Sequence, residues 1–344
     1  MNGGRRGMIA TLARWETLLA IVLIMLIGIG ASLSPVFLTP RNFANLIAAV
    51  IEVAIMSLPM ALIIIAGEID LSVESMVGLS AAVLGTLYAA GVPIELVIPI
   101  VLVVGALGGL LNGVLVTRMG LPSLVVTVGT LALYRGLALV VLGSRGVSAF
   151  PDWFTTFGFG TTPGIPIPWP FILYLALAVV LGGLLHRTWV GRQIYAIGKN
   201  SSASRYSGVQ VARIKLALFV LSGTVAALAG IILTARQASA RADVGTGLTL
   251  VVVTIVLLGG IDIFGGRGTI VGVVLAFFTL AVLGNALRLA NVSSDIQSIV
   301  IGVLLIVSVL IPTFARRVNE AIDRTQRGRR TPAGSVGPGE VIGT

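Results

Sequence analysis

Long uncharged apolar runs alternate with short polar connections along the chain. Each run is about 20 residues long, the length an α-helix needs to cross a hydrocarbon layer. The runs fall near residues 15–33, 44–66, 75–91, 94–117, 123–143, 169–186, 215–235, 247–263, 269–290 and 294–314. Backbone groups in lipid must bond within their own segment, so these runs are predicted to be helices. The expected fold class is all-α, a polytopic membrane helix bundle of about ten spans. The shorter, glycine-rich runs are candidates for re-entrant segments. Residues 1–14 then form a terminal segment, 15–314 a transmembrane domain, and 316–344 a basic tail with Pro and Gly and no apolar periodicity, which reads as disordered.

Charge orients the bundle. With an even number of spans, the N-terminus, the Arg118 loop, the Arg187–Lys215 loop, the Arg267 loop and the tail share one side and hold most of the Lys and Arg. The positive-inside rule makes that side the cytoplasm, N-in and C-in. The chain has 344 residues, 56% of them apolar and 10% charged, which excludes a soluble domain. Its formal net charge of +10 is explained by this orientation and by anionic membrane lipid. Nucleic acid is not an expected partner, because no aromatic residues interleave the basic ones. The absence of cysteine excludes disulfides, thiolate metal sites and cysteine nucleophiles. The first run is too long for a signal h-region and lacks a cleavage site, so it is expected to remain as a helix.

Several polar residues interrupt the apolar pattern. Glu52 lies within a run, where a carboxylate either lines a pathway or makes a hydrogen-bonded contact between helices. Pro59, in the same run, is expected to kink it. The stretch Gly67-Glu68-Ile69-Asp70-Leu71-Ser72-Val73-Glu74 brings three acids together. No histidine or second acidic cluster accompanies them, and Asp70, Ser72 and Glu74 fit the capped, dipole-matched start of the following helix. Gly67–Leu71 lines up with Gly259-Gly260-Ile261-Asp262-Ile263 as a weak internal repeat, a common feature of transporter folds. Gly105, Gly108, Gly109 and Gly113 would let a neighbouring backbone approach closely. Arg135 requires a carbonyl or carboxylate partner, or must snorkel. Residues 144–168, with Pro151, Trp153, Pro163, Pro166 and Pro168, form the longest outer segment, and 236–247 a polar outer loop. His186 reads as structural. Asn285, Arg288, Asn291 and Asp295 surround a last outer turn.

The polar loop from Arg187 to Lys215 carries six basic residues and no acid. Within it Asn200–Ala212 reads as a short helix, with Ser201 or Ser202 as cap and a small-residue face of Ala203, Ser204, Ser207 and Gly208. Such a helix suits a groove on a soluble partner, although charge alone fits an ordinary positive cytoplasmic loop equally well.

The wording of this loop, Gly191-Arg192, Tyr195-Ala196-Ile197-Gly198, Asn200, Ala203, Ser207-Gly208, resembles the coupling loop of the sugar-type ABC importer permeases, the family of ribose, rhamnose and autoinducer uptake systems. Three more stretches are similar to that family: Gly67–Ser72, Pro122-Ser123 with Thr127-Val128-Gly129-Thr130 and Arg135-Gly136, and Val244 to Gly268. Glu68 and Glu74 stand where the family more often has glycine, and no acid occurs near Leu248-Thr249-Leu250, where many members have one. The resemblance implies a permease subunit for a monosaccharide or similar small sugar (rhamnose-like, ribose-like or autoinducer-2), with the rhamnose type first and the autoinducer type beside it. It implies ATPase contact through Gly191, Arg192, Asn200, Ala203, Ser204, Ser207 and Gly208, and a candidate translocation pathway at Glu52, Asp70, Thr127, Tyr134, Asp262 and Asn285. The implied partners are a cytoplasmic ABC ATPase, a second permease subunit and a periplasmic or lipid-anchored sugar-binding protein. Gly198-Lys199-Asn200 fails the P-loop pattern, so ATP and magnesium are expected on the ATPase, and this chain is expected to hold no catalytic, metal or cofactor site. An ion-coupled secondary transporter using Glu52, Asp70 or Asp262 is the alternative; an intramembrane transferase using Glu68–Glu74 is a third.

Overall fold

A computed structural model describes residues 15–162, 167–308 and 310. Among these the chain is helical, with only two isolated β-bridges, Val147 to Ala240 and Thr161 to Pro168. The helices are α1 (Trp15–Leu33), α2 (Pro40–Ala48), α3 (Ile51–Ile65), α4 (Val73–Ala89), α5 (Ile94–Thr117), α6 (Ser123–Leu142), α7 (Asp152–Phe159) and α8 (Trp169–Arg187). They continue as α9 (Trp189–Lys199), α10 (Ser201–Tyr206), α11 (Val211–Gln237), α12 (Leu248–Leu258), α13 (Ile270–Leu289) and α14 (Ser294–Ser308).

Among the described residues, six helices are long and apolar enough to span a membrane: α1, α5, α6, α8, α11 and α13. The α2–α3 pair passes the same test as one span bent by 53°. Helices α4, α12 and α14 are apolar but shorter. The polytopic helical bundle is therefore present. The bend lies at Ala49–Val50, where Val50 leaves the helical region at φ −135°; Pro59 sits inside the continuous helix α3.

Every residue of α3 is buried, as expected for a helix apolar on all sides and ringed by α8, α11, α12 and α13. The most extensive packing joins α5 to α11. Gly105 and Gly109 on α5 face Gly223 on α11 so closely that a Cβ on Gly109 would overlap the Phe219 carbonyl oxygen. Lipid offers apolar side chains no better or worse solvent than a neighbouring helix does, so this close backbone approach supplies the association through van der Waals contact. Helix α1 stays largely exposed and rests on α13, fixed by Trp15 Nε1 donating to the Leu258 carbonyl at 2.7 Å.

The outer segment contains a helix, α7, packed on α11, where Gly158 lies against Ala235 and Arg236. Pro163 and Pro166 lie outside the described residues, as do the 1–14 segment and the 316–344 tail. The 247–263 run is helical only over α12. The loop before it does not stay at the surface, since Ala240 and Ala242 are buried against α4.

The α5–α11 seam predicts that Gly109→Val abolishes folding while Gly129→Val, on an open face of α6, is tolerated. Size-exclusion profiles of the detergent-extracted proteins check this; a normal monodisperse peak for Gly109→Val would show that the seam is dispensable.

Candidate coupling and transport site

Helices α3 and α12 end with the same device. Gly67 and Gly260 adopt φ of +79° and +81°. Their amides bond back to Ile64 and Leu257, and the next amides, of Glu68 and Ile261, to Ile63 and Val256. This is a Schellman cap, which favours glycine at the left-handed position; the same pair of bonds also closes α4 at Gly91, α10 at Gly208, α11 at Ala238 and α13 at Asn291. The internal repeat is thus a shared way of stopping a helix, with Gly67 matching Gly260, one residue away from the sequence alignment. In this register Asp262 is not the counterpart of Asp70. It turns locally instead, accepting from the Phe264 amide at 3.0 Å.

Asp70 is 1% exposed and accepts three hydrogen bonds, from the Ser72 amide at 3.0 Å, the Ser72 hydroxyl at 2.6 Å and the Ser222 hydroxyl at 2.8 Å. Asn112 Nδ2 donates to the Ser72 hydroxyl at 2.9 Å. One carboxylate thus links the start of α4 to α5 and α11. Ser123 at the start of α6 accepts from the Ile69 amide, and Thr127 reaches the Ile69 carbonyl at 3.4 Å, so α6 holds the same loop. Tyr134 donates to the Gly108 carbonyl at 2.8 Å.

Three further acids have partners of their own. Glu68 pairs with Lys215. Glu52, nearly fully buried, pairs with Arg236 at 2.7 Å across α3 and α11. Glu74 does more than favour the start of its own helix: its Oε2 accepts from the Gly247 and Thr249 amides, both at 3.1 Å, and so caps α12. Asn42 and Asn285 exchange two amide hydrogen bonds of 2.9 and 3.0 Å between α2 and α13. Arg135 finds carbonyl partners, donating to Ala242 at 2.8 Å and Val244 at 3.1 Å. His186 accepts from the Ile270 amide at 3.2 Å and so satisfies a free donor at the start of α13.

The six candidate pathway residues are therefore dispersed. Glu52, Asp70, Thr127, Tyr134 and Asn285 are buried between helices, and Asp262 sits in the turn after α12. None lines either of two apolar cavities of about 520 and 560 Å3, the first walled by α9 and α11 and the second by α1, α2 and α13.

The 187–215 loop is two helices and not one. Thr188 caps α9 by accepting from the Gly191 amide, and Asn200, in place of Ser201 or Ser202, caps α10 by accepting from the Ala203 amide at 2.9 Å. Helix α10 spans only six residues. It stops because Gly208 turns left-handed at φ +82°, and α11 then begins at Val211. Arg192, Asn200, Ala203, Ser207 and Gly208 are exposed; Ser204 is buried beneath them, and Gly191 packs against the Leu185 carbonyl. Tyr206 is 94% exposed.

This module is joined to the Asp70 loop. Gly198 lies in backbone contact with Ile65 and Gly266, and the Gly266 amide donates to the Ile65 carbonyl at 2.8 Å. Tyr195 donates to the Gly268 carbonyl at 2.6 Å, and burial pushes its phenol above the ordinary value. With Lys215–Glu68, these contacts tie α9 and the start of α11 to the turns that close α3 and α12. Gly198 and Lys215 carried no role in the sequence reading. The signal available was a glycine at the end of an amphipathic helix and a basic residue opposite an unusual Glu68.

Residues 42–309 match the family described as "Branched-chain amino acid transport system / permease component". The chain is 34% identical over 323 residues to the "Autoinducer 2 import system permease protein LsrD" of Yersinia enterocolitica, covering 92% of this chain and 97% of that one. It is 35% identical over 321 residues to the protein of the same name in Photorhabdus laumondii, covering 92% and 96%. The Enterobacter protein of that name is 35% identical over 302 residues, covering 86% and 92%. All three bear the autoinducer 2 name, one of the options the sequence resemblance implies, and none bears a rhamnose name. No solved structure matches.

Removing the Glu74 carboxylate leaves two amides at the start of α12 without their acceptor. Glu74→Ala is expected to destabilise that start by about 1 kcal/mol, as for loss of a helix cap. Hydrogen exchange of the peptide around residues 246–250 should accelerate; unchanged protection there would refute the capping role.

Proposed function

The chain belongs to the family of ABC-importer permease components, and from that membership we propose that it carries autoinducer 2 or a similar small sugar across the membrane. It is a transport subunit and not an enzyme, a multi-pass protein of the bacterial inner membrane. As a permease component it works with an ATPase and a binding protein. The observation that carries the substrate reading is the 34–35% identity, over nine-tenths of the chain in two cases, to permeases named for autoinducer 2 import.

The basic end holding α9 and α10 faces the cytoplasm in this reading, as the positive-inside rule requires. The exposed rim of Arg192, Asn200, Ala203, Ser207 and Gly208, with Tyr206 beside it, seats in a groove of the ATPase, which holds the ATP and magnesium. When two ATPases close on ATP, α10 moves with them. The displacement passes through Gly198–Ile65 and Lys215–Glu68 to the Asp70 loop, where α4, α5, α6 and α11 meet. Two permease subunits, identical or different, rock between outward and inward access. At the opposite end, α7 with Trp153 and Phe159 exposed offers the surface for a periplasmic or lipid-anchored binding protein. Of the three acids that an ion-coupled carrier would use, Glu52 is paired with Arg236 and Asp70 is bonded to two serines, while Asp262 accepts from the Phe264 amide in a turn.

Ala203→Glu is the cleanest test of the coupling surface, because Ala203 is exposed and helical. Gly208→Glu would add left-handed backbone strain of about 1–2 kcal/mol and confuse the result. Tagged wild-type protein extracted gently from native membranes should retain a soluble ATPase, and Ala203→Glu should lose it while remaining in the membrane. A wild-type homo-oligomer free of ATPase would overturn the importer reading; an Ala203→Glu variant that keeps the ATPase would remove α10 from the contact.

A further inference from the structure

Between α11 and α12 the chain enters the bundle without forming a helix. Ala238 turns left-handed at φ +49°, and Ala240 exchanges main-chain hydrogen bonds of 2.8 and 3.0 Å with Val147. The backbone then descends along α4. Ala240 lies against Gly85, the carbonyls of Ala242 and Val244 against Gly78, and Gly245 against Glu74 and Val77. The stretch of α4 from Gly85 back to Glu74 measures about 16 Å at helical rise. That is roughly half the hydrocarbon thickness of a bilayer.

Irregular backbone at such depth is stable only where protein covers it or water reaches it. One edge of this segment is covered: Ala240 and Ala242 are buried, Arg135 holds the Ala242 and Val244 carbonyls, and Glu74 holds the Gly247 amide. The other edge is open. It carries Arg241 and Asp243, with side chains 56% and 62% exposed and joined by hydrogen bonds of 2.9 and 2.7 Å, and the exposed Thr246 and Gly247 follow. Lipid against this edge would have to solvate a charged pair and irregular main chain, which it does poorly.

We infer that the edge from Arg241 to Thr246 lines the aqueous passage through the membrane, with the Arg241–Asp243 pair as a contact for the passing solute. The pair is neutral as a unit and sets guanidinium N–H donors beside carboxylate acceptors. Such a surface suits an uncharged, hydroxyl-rich solute and gives a simple ion of either sign no net attraction. This inference rests on the transport reading above, but its test requires neither ATP nor solute, so the two can fail separately.

The chain has no cysteine, so single cysteines can be introduced without removing others. Arg241→Cys, Asp243→Cys and Thr246→Cys would be compared with Ala242→Cys, on the covered edge, and Val140→Cys, an 83% exposed apolar position on α6. Each full-length variant, in its native membrane complex, is treated with a charged, membrane-impermeant methanethiosulfonate. Thiols attack as thiolates, which form readily only in water, so the open-edge positions should react about tenfold or more faster than both controls. Thr246→Cys leaves the ion pair intact and serves if the other two variants fail to reach the membrane. Open-edge rates as slow as those of Val140→Cys would overturn the inference. So would protection in the complex that disappears in the isolated subunit, which would make this edge an interface between subunits.

Discussion

The rest of this structure depends on the main-chain contact between α5 and α11. Gly105, Gly109 and Gly223 bring two backbones together where no side chain fits, and in a membrane that contact has no hydrophobic substitute. The seam also sets the spacing of polar groups along it. Asn112 and Ser222 lie on these same two helices, and only because the helices touch can both engage the Asp70–Ser72 loop. A polar knot in the bundle is thus a consequence of glycine packing, with three donors on the Asp70 carboxylate and the Asn112 Oδ1 left buried without a donor.

The acids follow one logic. Four carboxylates join segments far apart in sequence: Glu52 to Arg236, Glu68 to Lys215, Glu74 to the start of α12, Asp70 to Ser222. A buried charge left alone would be costly, so these pairings help specify how the helices are arranged. Two of them, Glu68 and Asp70, stand two residues apart between the α9–α10 module and the centre of the bundle. The module is thereby joined to the centre through hydrogen-bonded and backbone contacts.

Uniform helices were legible from hydrophobicity alone. The 94–117 and 15–33 runs match α5 and α1 at both ends, because an apolar segment of spanning length has one way to satisfy its backbone. The failures occur where tertiary partners replace that rule. The 247–263 run is helical only in α12, since Glu74, remote in sequence, supplies the cap that sets its start and Gly260 sets its end. The 200–212 stretch looked like one helix, but Gly208 in a left-handed conformation divides it. The 44–66 run is broken at Ala49–Val50, where no Pro or Gly marks it. Residue types on the 187–215 loop were visible in the sequence; which of them face outward was not, and Ser204 and Gly191 turn inward while Tyr206 turns out.

The shortness of α12 also bears on how the protein is made. Its 11 residues rise about 16 Å, too little to hold a segment across a bilayer as it leaves the ribosome. Its cap comes from α4 and its packing from α3, both synthesised much earlier. Length alone therefore does not place α12: its position depends on α3 and α4, made long before it, and on α13, which follows it and is long enough to span by itself.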